Sequence, residues 1–460
     1  MNLNWDDLLR GRARPSDGDE VTLEGEVFPL DGVPGDRLLL VAEAACCIGC
    51  GPERETTVEV LLDGAAPAGR SVRVTGIWRV SPEGAPWRWR IEAARVAARV
   101  SGGPWLNRRA LLAASPLLCA APRVARAQVP AGAGRALVGT TAPMDLHSHA
   151  GRVILLPANP DRAFQPLAAP MREGGMSLVS LAIVADSPAT RVVDRLIQPY
   201  RQPAPGELWA HGQAAFARLH RLVAQEGLAV VTDKASLARS MRPGAAPAVL
   251  VESEGGDFME GRIDRLEWAF REQRLRHLQL THYRVNELGD IQTVGAVHNG
   301  LTDFGVEVVR ACNRLGIAVD VAHATLAMVR RAAEVSTKPI LLSHTSLSSQ
   351  PRPFSRLITA EHARVVAQTG GVVGIWPLVG DNPTPRRYAE SMARMVDAVG
   401  VDHVGIGSDM RGLLSSSAFE TYLVTPDLAQ ALLEVGFDAE GVKKLMGGNF
   451  ARVLAAVLPG

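Results

Sequence analysis

The sequence predicts an α/β protein: a (β/α)8 TIM-type barrel preceded by a separate small all-β domain, OB-like in its strand count. Three observations predict it. From Pro143 onward, short apolar strand patterns alternate with helical ones, and the strands number eight. Several of these apolar runs end in a residue that can bind a metal, as in Val321-Ala322-His323, Ser343-His344 and Gly407-Ser408-Asp409. Buried strands have little use for ionisable groups at their ends unless something there binds them, and the carboxyl-terminal rim is where such barrels build their sites. The first hundred residues, by contrast, hold only short strand patterns broken by Gly, Pro and Asp.

In chain order, strands are expected at 21–27, 37–42, 56–62, 71–78 and 87–93. About five short strands suit a small closed barrel or sandwich. The barrel strands are expected at 144–149, 177–185, 248–252, 276–281, 317–322, 339–343, 371–376 and 403–408. Helical patterns fill the intervals: 189–224 with breaks, 262–274, 303–315, 326–335, 359–369 and 386–399, with 427–435 and 439–454 closing the chain. The expected organisation is a β domain over 1–100, a connecting segment over 101–130 and a barrel over 131–460.

The connecting segment carries two readings. Asn107-Arg108-Arg109 opens a small apolar run to Ala121, and Ala125-Arg126-Ala127 closes it. A charged start, a short apolar middle and a small-x-small exit describe a secretory signal, and the paired arginines resemble the twin-arginine type. A position behind a whole domain fits a helical linker instead. As a working signal it would export an enzyme beginning near Gln128 to the periplasm; as a linker it would leave the whole chain in the cytoplasm.

Bulk composition narrows the function. Of 460 residues, 47% are apolar and 21% charged, as in an ordinary globular enzyme. A net charge of +1 without a basic block gives no support for nucleic-acid binding. No run approaches the roughly 20 apolar residues of a membrane helix. Five cysteines make no disulfide framework. Cys47-x-x-Cys50, next to Cys46, has metal or redox spacing, but no second pair accompanies it. A turn with partly buried thiols, a disulfide and a cofactor site all remain open there, whereas Cys119 and Cys312 read as structural.

At the strand ends, His147 and His149 lie two apart, so a strand turns both imidazoles to one side. Glu254 precedes two glycines that allow a sharp turn and close backbone approach, and its two oxygens can bridge two cations. Glu252 is its rival, pointing the same way at i−2. His323 and His344 end successive strands at one depth. Asp409 ends the last strand, where it could handle a proton or cap the next helix.

Longer strings carry a family resemblance: Glu254-Gly255-Gly256, Leu280-Thr281-His282, Asn299 through Gly305, Asn313-Arg314-Leu315-Gly316, Asp320-Val321-Ala322-His323, Leu342 through Ser346, Gly405 through Asp409 and Gly448-Asn449-Phe450. From about 143 to 456 the chain resembles the membrane (renal) dipeptidase family of zinc peptidases, within the amidohydrolase-type barrels. The resemblance implies two zinc ions. His147 and the residue at 149 would bind one, His323 and His344 the other, and Glu254 both. Asp409 would handle the proton of a bridging hydroxide that attacks a dipeptide, His282 would steady the oxyanion, and Arg356 would grip the substrate carboxylate, with Arg352 close by in sequence. The family usually has aspartate where this chain has His149, and an aromatic and an acidic residue where it has Met410-Arg411. Family members are often dimers, so a homodimer is expected on the resemblance alone. Competing readings are an amidohydrolase acting on N-acyl amino acids, lactams or other small amides, and a non-catalytic metal-binding or redox fusion protein.

Overall fold

The computed structural model describes residues 2–3, 8, 13–28, 37–41, 57–63, 71–80, 89–98 and 129–460, the last span without 158, 194–195, 243, 349–353, 379–382 and 414–416. The cysteines at 46, 47, 50 and 119, the signal-like segment 107–128 and Arg352 lie outside the described residues. The chain separates into two compact units, one holding the strands up to Ala98 and the other holding Val129–Gly460.

The first unit contains β1 (Asn2–Leu3), β2 (Glu20–Phe28), β3 (Arg37–Val41), β4 (Thr57–Leu62), β5 (Ser71–Val80) and β6 (Trp89–Ala98). β2 pairs antiparallel with β3, β3 with β4, β5 with β6, and β5 with β2. Only β4 and β6 run parallel within that ring. The order β2-β3-β4-β6-β5 therefore returns to β2, a closed five-stranded barrel of OB-like topology. Alternate residues build its core: Val21 and Leu23, Val58 and Val60, Val72 and Val74, with Trp78 and Ile91. The short β1, which adds to β2 in parallel, was not expected.

In the second unit the strands are β7 (Met144–Ser148), β8 (Leu178–Val184), β9 (Thr190–Val193), β10 (Leu196–Pro199), β11 (Ala229–Val231), β12 (Ala248–Glu254), β13 (Leu275–Gln279), β14 (Ala318–Asp320), β15 (Leu341–Thr345), β16 (Val372–Ile375) and β17 (Val404–Ile406). β7 pairs with β8, β8 with β12, and so on through β17, which pairs back to β7, always in parallel. Eight strands thus close the (β/α)8 barrel, and β11 extends the sheet beside β12. Helices follow the strands as the patterns predict, for example Asp303–Leu315, Leu326–Val335 and Pro385–Val399. Thr302, Thr325, Thr359 and Thr384 each accept a backbone N–H from the first turn of their helix, which fixes where each begins.

One expected helix is corrected. The 189–224 pattern is helical only over Glu207–Gln225; its first part is the antiparallel hairpin β9–β10. Thr190, Val192 and Val193 are β-branched, and Pro199, Pro203 and Pro205 keep a helix from starting earlier. The closing helix is likewise split by a π-helical turn at Lys444–Gly448.

Two apolar layers position the site. Most core residues lie between the strands and the surrounding helices. A second cluster joins Met144, Leu146, Leu178, Leu250, Ala318, Leu341 and Val372 from the strands to Phe450, Val453 and Leu454 of the last helix. That helix closes the floor of the barrel, and Asn449 ties it there by donating to the carbonyls of Val401 and Val404.

Candidate metal centre

At the opposite end the strands deliver ionisable side chains to one layer. Glu254 pairs level with Val184 and with Gln279, and Gln279 with Asp320. Register shifts interrupt the ladder at Asp145/Ser148, Val251/Glu252 and Leu342/Thr345, around His147, Glu252 and His344. Such irregularities re-aim side chains, and here they fall at the strand ends that carry the site. His323 and Asp409 have positive φ, 67° and 45°, a backbone that non-glycine residues adopt at some expense and that clusters at functional sites.

Six of the residues singled out in the sequence meet around the carboxylate of a seventh, Glu254. Glu254 Oε1 lies 3.6 Å from His147 Nε2, 3.4 Å from His282 Nε2, 3.3 Å from His323 Nε2 and 3.5 Å from His344 Nε2. Its Oε2 lies 3.2 Å from His149 Nε2. Asp409 Oδ1 is 3.5 Å from His149 Nε2 and 3.9 Å from His147 Nε2. All are buried.

The nitrogen pairs point to cations. His149 Nδ1 faces the Ala182 carbonyl at 2.9 Å and must carry the proton, which leaves a lone pair on Nε2. His147 turns Nδ1 to the Glu252 carboxylate at 2.6 Å and presents Nε2 in the same way. These two Nε2 atoms lie 3.2 Å apart, and those of His323 and His344 lie 3.0 Å apart. Nitrogens this close either share a proton or turn two lone pairs to one cation, and a metal centre requires the second. His147–His149–Asp409, His147–Glu254–His344 and Glu254–His282–His323 each place their ligand atoms within reach of a metal. The donor set of neutral imidazoles and carboxylates suits zinc-type ions.

The electrostatics divide the ligands: burial would depress His149, but Glu254 and Asp409 outweigh it and raise the ring, so His149 releases a proton to ligate. Burial pushes His147, His323 and His344 below the ordinary imidazole range, so the rings are neutral and able to ligate. Burial opposes ionisation of Glu254, yet His282, His147 and their neighbours hold its carboxyl well below the usual range. Burial raises Asp409 to about 6, with His149 and His147 pulling the other way. Burial would depress His282, but Asp186 and Glu254 outweigh it and raise the ring to about 9.

Asp186 is one of the supporting residues that sequence reasoning missed. It accepts from His282 Nδ1 at 2.7 Å and from the Tyr283 N–H at 3.0 Å. Asp145 is another: it accepts the backbone N–H of Ser408 at 2.9 Å and the hydroxyl of Tyr422 at 2.9 Å, pinning β7 to the strand end that leads to Asp409. Asp145 lies two residues before His147 and is fully buried, but its sequence position gave no hint of that partner. Glu252, the rival bridge, faces His147 rather than the other ligands. Close packing also shapes the centre: a Cβ on Gly412 would sit 2.0 Å from Asp409 Oδ1.

The centre opens into a cavity of about 410 Å³. Its walls include Ile154, Leu156, Val184, Val192, Ile197, Trp376, Leu378 and Leu413. Arg356 also lines it; the side chain is buried, stacks on Trp376 at 5.2 Å and donates Nη1 to Gln292, while Nε and Nη2 have no partner among the described residues. Arg162, Arg191 and Arg411 line it too.

A parallel eight-stranded barrel with imidazoles and carboxylates converging at its carboxyl rim defines the class of metal-dependent barrel hydrolases. The comparisons name the branch: the model of the membrane dipeptidase family (peptidase family M19) matches residues 164–458, and the chain belongs to that family. Dipeptidase verJ of Clonostachys rogersoniana is 30% identical over 197 residues, covering 40% of this chain and 48% of that one. Dipeptidase tcpJ of Claviceps purpurea is 30% identical over 197 residues, covering 41% and 46%. The chain thus spans about half the length of the curated relatives it matches. Among solved structures, dipeptidase AC, a metallopeptidase of family M19, aligns at TM-score 0.59 and 22% identity over 70% of this chain and all of that one. A Rhodobacter sphaeroides metallopeptidase, liganded with a phosphinate mimic of L-Ala-D-Ala, aligns at TM-score 0.58 and 21% identity over 69% and 99%. These structural likenesses bear on the fold.

No helix among the described residues is long and apolar enough to cross a membrane.

Proposed function

We propose that the chain is a metallo-dipeptidase that hydrolyses small dipeptides with two zinc ions. His147, His149, Glu254, His323 and His344 would hold them, with Glu254 shared by both. The observation that carries this reading is the convergence of four imidazole Nε2 atoms on the Glu254 carboxylate, in two close pairs. Two bound cations supply a water of lowered pKa and polarise the scissile carbonyl.

The residues of the chain supply the rest. Asp409, raised to about 6, is ionised at neutral pH and can accept the proton of the attacking water and return it to the leaving amine. His282 is protonated up to about 9, so its Nε2–H can donate to the oxygen on which charge develops. Arg356 Nε and Nη2, unpartnered among the described residues, suit a substrate carboxylate, and Trp376 holds the guanidinium plane. Apolar walls fit a substrate with an apolar side chain and keep water out. In this reading residues 131–460 are the hydrolase, 1–100 a separate domain, and 101–130 the connection.

One observation favours a second substrate class. The carboxylates lining the cavity are Glu254 and Asp409, both engaged with the centre, against four arginines. Among the described residues a free α-ammonium finds no further acid lining the cavity, whereas an N-acylated amino end needs none. A panel of Xaa-Gly and Xaa-D-amino-acid dipeptides against N-acetyl amino acids, assayed with zinc, separates the two. Turnover of dipeptides supports the first reading. Turnover of N-acetyl amino acids alone moves the assignment to an acyl-amino-acid amidohydrolase, and turnover of neither contradicts both.

A further inference from the structure

Beneath the ligand layer lies a second buried cluster that the hydrolytic reading leaves idle: Glu252, His277 and Asp320, with Ser180 beside them. Such residues first suggest a third cation, and the geometry speaks against one. His277 Nδ1 meets Ser180 Oγ at 2.7 Å and lies 3.5 Å from Glu252 Oε2 without a hydrogen bond to it, and Nε2 lies 3.2 Å from Asp320 Oδ2. These are opposite sides of one ring, and an imidazole offers a single ion only one of them.

The cluster runs instead as a chain into the ligands. Glu252 Oε1 meets His147 Nδ1 at 2.6 Å, on the far side of the ring from the Nε2 that faces Glu254. At the other end, Asp320 Oδ1 accepts the backbone N–H of Ala322 at 2.9 Å and of Ser343 at 3.0 Å, the residues immediately before His323 and His344. Ser180 Oγ lies 2.7 Å from His277 Nδ1, and Phe450 of the floor packs below the ring. One buried chain thus touches the strand ends that deliver three of the five ligands.

We propose that Glu252, His277 and Asp320 are positioning residues beneath the ligand layer, and that Glu252, through His147, sets the affinity of the ion His147 would hold. Glu252 holds His147 with Nε2 towards the ions and makes the ring a stronger donor. His277 stands between Glu252 and Asp320, and Asp320 holds the backbone that carries His323 and His344. The proposal rests on His147 being a ligand.

The test is a zinc titration of the full chain against a competing chelator, with Glu252→Gln, Glu252→Leu and His277→Gln. The wild type binds two equivalents. Glu252→Leu weakens one of them about 10- to 100-fold, the range seen when a ligand's partner is lost, and leaves the other nearly unchanged. Glu252→Gln keeps an acceptor for the His147 ring, so it and His277→Gln weaken the same equivalent by less than about 10-fold. This rescue order is one a merely structural residue does not give. If Glu252→Leu does not fold, the two glutamine variants decide. Folded glutamine variants that hold both ions as tightly as the wild type overturn the proposal. So does equal weakening of both equivalents. A wild-type chain that binds no zinc overturns the reading of His147 instead, and with it the hydrolase.

Discussion

The two ends of the same barrel strands are built from opposite materials. At the amino end, Met144, Leu146, Leu178, Leu250, Ala318, Leu341 and Val372 pack on Phe450, Val453 and Leu454 of the last helix. At the carboxyl end, His147, Glu254, His323, His344 and Asp409 face one another, equally buried. Burial of apolar side chains stabilises a fold by about 1.5–3 kcal/mol each, whereas burial of ionisable groups is unfavourable unless they are paired or ligated. The floor therefore holds the barrel shut, and the rim spends part of that stability on a site. Positive φ at His323 and Asp409 belongs to the same division.

Substitutions at the two ends should separate activity from stability. The largest effect is expected at Glu254. Glu254→Gln removes the shared charge, and turnover should fall by at least ~10³-fold, matching the several kcal/mol that metal ions contribute. Fold stability of the metal-free chain should change little or rise; a folded, fully active variant would break the comparison. At the floor the pattern reverses. Phe450→Ala should lower unfolding free energy by about 3–5 kcal/mol in denaturant titration while the remaining folded protein keeps its kcat. A selective loss of activity there would show that floor and rim are not separable.

Gly412→Ala sharpens the comparison within the rim. The added methyl would meet Asp409 Oδ1 at 2.0 Å and His149 Cδ2 at 2.5 Å, so kcat should drop more than Tm. Unchanged kinetics would mean that this loop yields freely. The smallest effect concerns pH. Burial disfavours the protonated His282, but Asp186 and Glu254 hold it raised to about 9, so the donor is present below that pH and lost as pH rises through it. kcat/KM should decline on the alkaline side near 9, and Asp186→Asn should move that decline towards the ordinary imidazole value of about 6.5. An alkaline limb unmoved by Asp186→Asn would remove His282 from the role of proton-bearing donor.

Much of this division was legible in the sequence. All eight barrel strands were read from apolar runs alternating with helical patterns, and His147, His149, Glu254, His323, His344 and Asp409 from the ligands that end several of those runs, whereas His282 and Arg356 were named only through the family resemblance. The small barrel was read from alternation, and its ring closure conforms to the OB-like expectation. The hairpin β9–β10 was lost to an apolar pattern that fits either period, although Thr190, Val192 and Val193 carried a β-branched signal. The supporting carboxylates were invisible for a different reason. Asp145, Asp186 and Asp320 act on partners brought beside them by strand register, and one chain's sequence does not say which residues face each other across a closed sheet. Glu252 shows the limit most sharply: spacing placed it on the right face, and a register shift at Val251/Glu252 decided that it holds His147 rather than the ions.

The most direct measurement is anomalous diffraction at the zinc edge from crystals of the full chain grown with zinc. The account predicts two peaks about 3.5–4 Å apart, the usual two-metal spacing, with the Glu254 carboxylate between them and His147 and His149 on one side, His323 and His344 on the other. A single peak away from Glu254, or a peak seated among Glu252, His277 and Asp320, would contradict it.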